Sequence, residues 1–159
     1  MYYTSEILGD KVMIINLDNS RERYWDFQVH KLEKDIERAK REKLIILIFQ
    51  HDAISTGKRE DMHVKALIEC DGDEGGFYNT VGSANKTDKT TDAMYKLITE
   101  NADVVKGLFC GHYHSGFYTG VKACYTDEKG IHDAVIPQYI KEGLVYNDYV
   151  GHVLEITVR

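Results

Sequence analysis

The succession of apolar runs and amphipathic stretches along this chain predicts an α/β fold. Two segments, Leu44 to Phe49 and Val104 to Cys110, are apolar almost without interruption and lack the alternation of a one-sided strand. That is the pattern of strands covered on both faces, as in a parallel sheet. Helix-forming segments precede both. The resulting order of strand, helix, strand, helix, helix, strand indicates α/β architecture.

The elements follow in order. Residues 6–18, EILGDKVMIINLD, read as a hairpin in which Gly9-Asp10 makes the turn and a β-branched apolar strand follows. From Glu22 to Arg41, Trp25, Val29, Leu32, Ile36 and Ala39 recur at steps of three and four, with charges between them. This spacing predicts an amphipathic helix with one face on a core. His30 lies off that stripe and is expected in solvent. The run ending at Phe49 leads into Gln50-His51. A second helix is predicted from Lys58 to Glu69. A third is predicted from Thr91, as N-cap, to about Asn101, with Asp92 in its first turn. Between them, residues 71–92 are rich in Gly, Asn, Asp, Ser and Thr and read as a long loop, either a functional lid or a plain surface excursion. The DGDE within it lacks the later ligand positions of a calcium loop. The C-terminal portion reads as β-structure.

Composition narrows the possibilities. The chain has 159 residues, 43% of them hydrophobic, which suits a single domain over residues 1–159. A net charge of −6 argues against a nucleic-acid or anionic-membrane surface. No apolar run approaches the roughly 20 residues that cross a bilayer, and no basic region or signal core follows Met1, so a soluble, cytoplasmic protein is expected. Cys70, Cys110 and Cys124 are odd in number and widely spaced, which fits reduced thiols, with Cys110 buried at the end of its run.

The chemistry concentrates in the histidines. In open α/β sheets, ligand sites form beyond the carboxyl ends of parallel strands. Here one buried run releases His51 there, and the other releases His112 and His114 in GLFCGHYHSG. Neutral imidazole is a common ligand of divalent metals, and rings at i and i+2 can be aimed at neighbouring points. Gly111 is read as letting the backbone pass close to the site, and Gly116 as letting the chain leave it. His51 alone would read as a structural residue; together with the Gly-His-x-His pattern it becomes a candidate ligand. His152 is expected as a core residue of the final strand, His132 as an exposed turn residue, and His63 as helical and outside the site. Tyr113 and Tyr118 flank the metal pattern, and packing is their expected role.

GLFCGHYHSG resembles the last motif of the calcineurin-like metallophosphoesterases, and IILIFQHD resembles that family's preceding histidine motif. VIPQYIKEGLVYNDYVGHVLEITV is similar to the closing strands of its bacterial members, so the likeness covers essentially the whole chain. It implies an αββα sandwich of mixed sheets with flanking helices and a C-terminal hairpin region, of which this chain is the C-terminal half. It implies two divalent metal ions, Mn, Fe or Zn, with His51 and His112 on one and His114 on the other. Two ions about 3.5 to 4 Å apart would clamp a phosphate ester and activate a water for in-line attack. The family's earlier motifs, Asp-x-His, Gly-Asp-x-x-Asp and Gly-Asn-His, are absent, and with them the carboxylate and Asn ligands and the proton-handling histidine. No catalytic side chain is therefore assigned on this chain.

Three neutral imidazoles do not compensate two dications, so a full dinuclear centre is not expected here alone. The expected function is a metal-dependent phosphoesterase carried on an incomplete chain. The alternative is a non-catalytic metal-binding or assembly module on the same scaffold. With half of the sandwich missing, the runs 44–49 and 104–110 are expected to expose apolar faces, and strand edges are expected to be left unpaired. A homodimer or a complementing N-terminal chain would then cover them.

Overall fold

A computed structural model describes residues 2–19, 24–54, 89–111, 117–140 and 155–158. The N-terminal hairpin forms as expected. β1 (Tyr3–Leu8) and β2 (Val12–Leu17) pair antiparallel from Tyr3↔Leu17 to Leu8↔Val12. Gly9 takes φ 62° in the turn, a left-handed conformation that glycine adopts without the Cβ penalty. β2 alternates half-buried and buried residues, so Met13, Ile15 and Leu17 all lie on one face.

Helix α1 runs Asp26–Glu42, starting later than Glu22. Trp25 is its N-cap residue and lies outside the helical stripe. The reason is a buried amide: Gln28 Oε1 accepts the Trp25 N–H at 2.9 Å, while Gln28 Nε2 donates to the carbonyls of Tyr2 at 3.0 Å and Asp18 at 2.8 Å. One side chain thereby ties the start of the helix to the start of β1 and the end of β2. Leu32, Ile36 and Ala39 are buried as their spacing predicts, with Val29 packed beside them. His30 lies in solvent, with 74% of its side chain exposed. Lys43, at φ 55°, caps the C-terminus and turns the chain into β3 (Ile45–Phe49).

The predicted helix 58–69 and most of the loop 71–92 lie outside the described residues. Helix α2 spans Lys89–Thr99, beginning before Thr91. Thr91 is a buried residue of its first turn and not its cap, and it is Thr90 Oγ1 that donates outward, to the Tyr24 carbonyl at 2.7 Å. β4 (Val105–Cys110) follows, then a long hairpin of β5 (Phe117–Asp127) and β6 (Gly130–Ile140).

Among the described residues the strands form one six-stranded mixed sheet in the order β1-β2-β3-β4-β6-β5. β2, β3, β4 and β6 are mutually parallel, and the outer strands β1 and β5 run antiparallel to their neighbours. Both helices pack on one face: Leu32, Ile36, Met94 and Ile98 share a single buried cluster with Met13, Ile15, Ile46, Ile48 and Leu108. The expected α/β class is thus observed. Among the described residues β3 and β4 are central strands, and the edges of the sheet fall on β1 and β5. Each run is apolar on both sides for this reason: alternate residues face the helices, and the others face the opposite side of the sheet. A bulge between Ile46 and Leu47 also skips Lys106, whose ammonium donates to the Ala102 carbonyl at 2.7 Å.

On the face away from the helices, Phe49, Phe109 and Tyr139 form a cross-strand row. Their centroids are 4.7 Å and 5.2 Å apart, with planes within 16° and 9°. A Cβ on Gly107 would lie 3.1 Å from the Phe109 ring, so glycine at that position lets the ring lie flat along β4.

Candidate functional site at the ends of β3 and β4

The parallel ladder between β3 and β4 continues past both strands. The Gln50 N–H donates to the Phe109 carbonyl at 2.9 Å, and the Gly111 N–H donates to the His51 carbonyl at 2.9 Å. The loop bearing His51 and the loop entering His112 therefore leave the sheet side by side, at its carboxyl end. His51 is described, with 47% of its side chain exposed. His112 and His114 lie outside the described residues, as do Tyr113, His63 and His152.

Gly111 has ordinary space on its His51 side. A Cβ there would meet the His51 carbonyl oxygen at 3.9 Å and Nδ1 at 4.0 Å, which are ordinary contacts. The space beside His51 admits a methyl group, so packing against His51 does not require glycine.

The His51 loop is held by side-chain amides that take the place of neighbouring backbone. Asn19, at the end of β2 and only 1% exposed, accepts the N–H groups of both His51 and Asp52 on Oδ1, each at 2.9 Å. Its Nδ2 donates to the Asp52 carbonyl at 3.0 Å. Gln138 on β6, fully buried, grips Ile54 from the other side: Oε1 accepts the Ile54 N–H at 2.8 Å and Nε2 donates to the Ile54 carbonyl at 3.0 Å. Gln50 Nε2 donates to the Asp52 carbonyl at 2.9 Å, and Gln50 Oε1 accepts the Tyr24 hydroxyl at 2.8 Å. The donor and acceptor ends of each amide are fixed by these partners. A loop wired in this way has little freedom, and the backbone that carries the imidazole is preorganised.

Burial pushes the Tyr24 hydroxyl well above its ordinary range, and the nearby Cys110 adds to the effect. Burial likewise raises the Cys110 thiol, against the lowering influence of the Gln50 amide. Both groups are neutral at physiological pH and serve as structural members of the network. The expectation of a buried, inert Cys110 is met, and Cys124 is also a free thiol.

His51 Nε2 stands 3.9 Å from Asp52 Oδ1, an electrostatic neighbour beyond hydrogen-bond range. Among the described residues, no three His, Cys, Asp or Glu side chains converge as a metal site would require. One imidazole beside one carboxylate is not by itself a donor set for a dinuclear centre.

Asn19, Gln50 and Gln138 did not emerge from the sequence, because a buried amide leaves no periodic mark. The available signal was only that each is a polar residue just after, or inside, an apolar strand. His132, expected as an exposed turn residue, instead lies on β6. Its ring stacks on Tyr125 at 4.8 Å, and its Nε2 lies 2.7 Å from Asp127 Oδ1. No helix among the described residues is long and apolar enough to cross a membrane. No protein-family model matches the chain, and no curated protein matches it significantly.

Proposed function

We propose that this chain contributes part of a metal-dependent phosphoesterase site, with His51, His112 and His114 as its metal ligands and a phosphate ester as substrate. One observation supports the reading above the others. The 2.9 Å bond from the Gly111 N–H to the His51 carbonyl holds the His51 loop against the residue that immediately precedes His112. Parallel strands ending together, with imidazoles leaving both ends, are where an α/β sheet collects a ligand. When bound, a divalent metal would supply Lewis acidity and an activated water. The chain's own part is to aim imidazoles, and the Asn19 and Gln138 clamps do this for His51. Carboxylate ligands and a proton donor for the leaving group would come from another segment or another chain, which fits a homodimer or an N-terminal partner.

The test is hydrolysis of an aryl phosphate with Mn, Fe or Zn added, comparing the chain with His51→Ala, His112→Ala and His114→Ala. Metal-dependent turnover lost in each variant supports the proposal. Equal turnover in all four proteins sinks it. Metal binding that needs these histidines, without turnover, selects the non-catalytic binding module instead.

A further inference from the structure

The aromatic row on the face of the sheet away from the helices stops, among the described residues, one strand short. Tyr139, Phe109 and Phe49 are register partners across β6, β4 and β3, and the next partner of Phe49, on β2, is Asn16. Strands lie about 4.8 Å apart, and the ring spacings of 4.7 Å and 5.2 Å follow that repeat. Asn16 is too short to fill the fourth place. A cavity of about 370 Å³ opens there, lined among the described residues by Tyr2, Asn16, Leu17, Asp18, Phe49, Gln50 and His51. That volume is at the small-ligand end of the usual range for binding clefts.

We infer that this cavity is a slot for the planar base of a nucleoside or mononucleotide, which takes the fourth place in the stack against Phe49. Three observations specify this occupant. The last ring of the row is only half-buried, while Phe109 beside it is 8% exposed, so Phe49 borders the opening. Tyr2 lines the same cavity, giving it a second aromatic wall. Beside Leu17, the rest of the lining is polar: Asn16, whose amide nitrogen also donates to Thr4 Oγ1 at 3.5 Å, with Asp18, Gln50 and His51, and such groups suit the donors and acceptors of a base edge better than a plain hydrocarbon ring. Stacking on aromatic faces suits any base, and hydrogen bonds at the edge then choose among bases. The chain's charge of −6 favours a single nucleoside or nucleotide over a polyanion.

The slot adjoins His51. If the phosphoesterase reading also holds, the ester handled there is a nucleotide whose base rests on Phe49. The slot itself needs neither metal nor phosphate, so the two ideas fail separately.

The experiment is an NMR titration of the ¹⁵N-labelled chain with adenosine, and with ribose as the non-aromatic control, both without added metal. Adenosine is expected to shift the Asn16 side-chain amide and the Phe49, Gln50 and His51 backbone amides, and ribose to leave them in place. Asn16→Phe completes the row with a ring of its own and should weaken adenosine by about tenfold or more. Phe49→Leu should do the same by removing the stacking face. A thermal melt of each variant reports the fold, and a variant that melts early hands the decision to the other. Equal shifts from adenosine and ribose, or undiminished adenosine binding by a folded Asn16→Phe or Phe49→Leu protein, overturn the slot. Adenosine binding without phosphoesterase turnover leaves it standing alone.

Discussion

Asn19 and His51 are 32 residues apart in sequence and joined by one 2.9 Å hydrogen bond, in which the Asn19 side-chain oxygen accepts the His51 N–H. The same oxygen also accepts the Asp52 N–H at 2.9 Å, so the end of β2 sets the path of the chain leaving β3. Catalytic or binding groups on loops need such supports, because a loop without them carries its side chains through many positions.

Asn19→Ala removes three hydrogen bonds and leaves buried backbone groups of His51 and Asp52 without that partner. A loss of about 2 to 3 kcal/mol is expected from urea unfolding, together with faster amide exchange at His51 and Asp52. Asn19→Asp keeps the accepting oxygen but opposes the Asp52 carbonyl with a second acceptor, so exchange at the two amides should slow again while stability stays low. Wild-type exchange rates in Asn19→Ala would show that the clamp is not what holds this loop.

The sheet core makes an ordinary demand with a definite size. Ile48 is fully buried on the central strand β3, between the helices and the sheet. Ile48→Val should cost about 1 kcal/mol and Ile48→Ala about 2 to 5 kcal/mol in the same measurement. Values near zero would place Ile48 outside the core.

Two glycines on the same stretch should behave oppositely. Gly107→Ala brings a methyl group to 3.1 Å from the Phe109 ring, while Gly111→Ala meets nothing closer than 3.9 Å among the described residues. The first is expected to displace the ring, lower the melting temperature and alter the aromatic shifts of Phe49 and Tyr139. The second should melt within a few degrees of wild type. The reverse ranking would contradict the geometry of β4.

Cys110 offers a pH test. Burial holds its thiol well above the usual range. An unfolded thiol ionises near pH 8.5. Because the folded group is the weaker acid, its share of stability is intact below that pH and declines above it as the unfolded chain ionises. In a Cys70→Ser background, iodoacetamide at pH 8 should label Cys124 first and Cys110 only after unfolding. Rapid native labelling of Cys110 would contradict its burial.

At the hairpin tip the sign is opposite. The hydrogen bond from His132, then that from the Lys129 N–H, hold the Asp127 carboxyl below its ordinary range. Such a depressed group contributes stability that is present above the usual aspartate range and is lost as pH falls through the lowered value. Amide exchange at Lys129, whose N–H lies 2.7 Å from Asp127 Oδ1, should accelerate as pH drops below about 4 relative to a hairpin amide remote from the tip. His132→Ala should move the Asp127 titration, followed by NMR, back toward ordinary aspartate; an unmoved titration would dissociate the pair.

Local patterns determined a good part of this protein. The Gly9 turn with its flanking β-residues, the Leu32–Ile36–Ala39 stripe and the apolar runs ending at Phe49 and Cys110 were legible because each follows from a period or a turn residue within a few positions. The burial of Cys110 and the exposure of His30 followed from the same patterns. The tertiary structure alone decided which strands are central, that Asn19, Gln50 and Gln138 hold the His51 loop, and that Gly111 has room to spare beside His51. It also decided that His132 stacks on Tyr125 and bonds to Asp127. The clamps depend on strand order and mostly on partners 26 to 84 residues apart, such as Tyr24 with Gln50 and Ile54 with Gln138. No local period encodes such distances: a side-chain amide becomes a clamp only when the sheet brings a backbone group of matching polarity within about 3 Å.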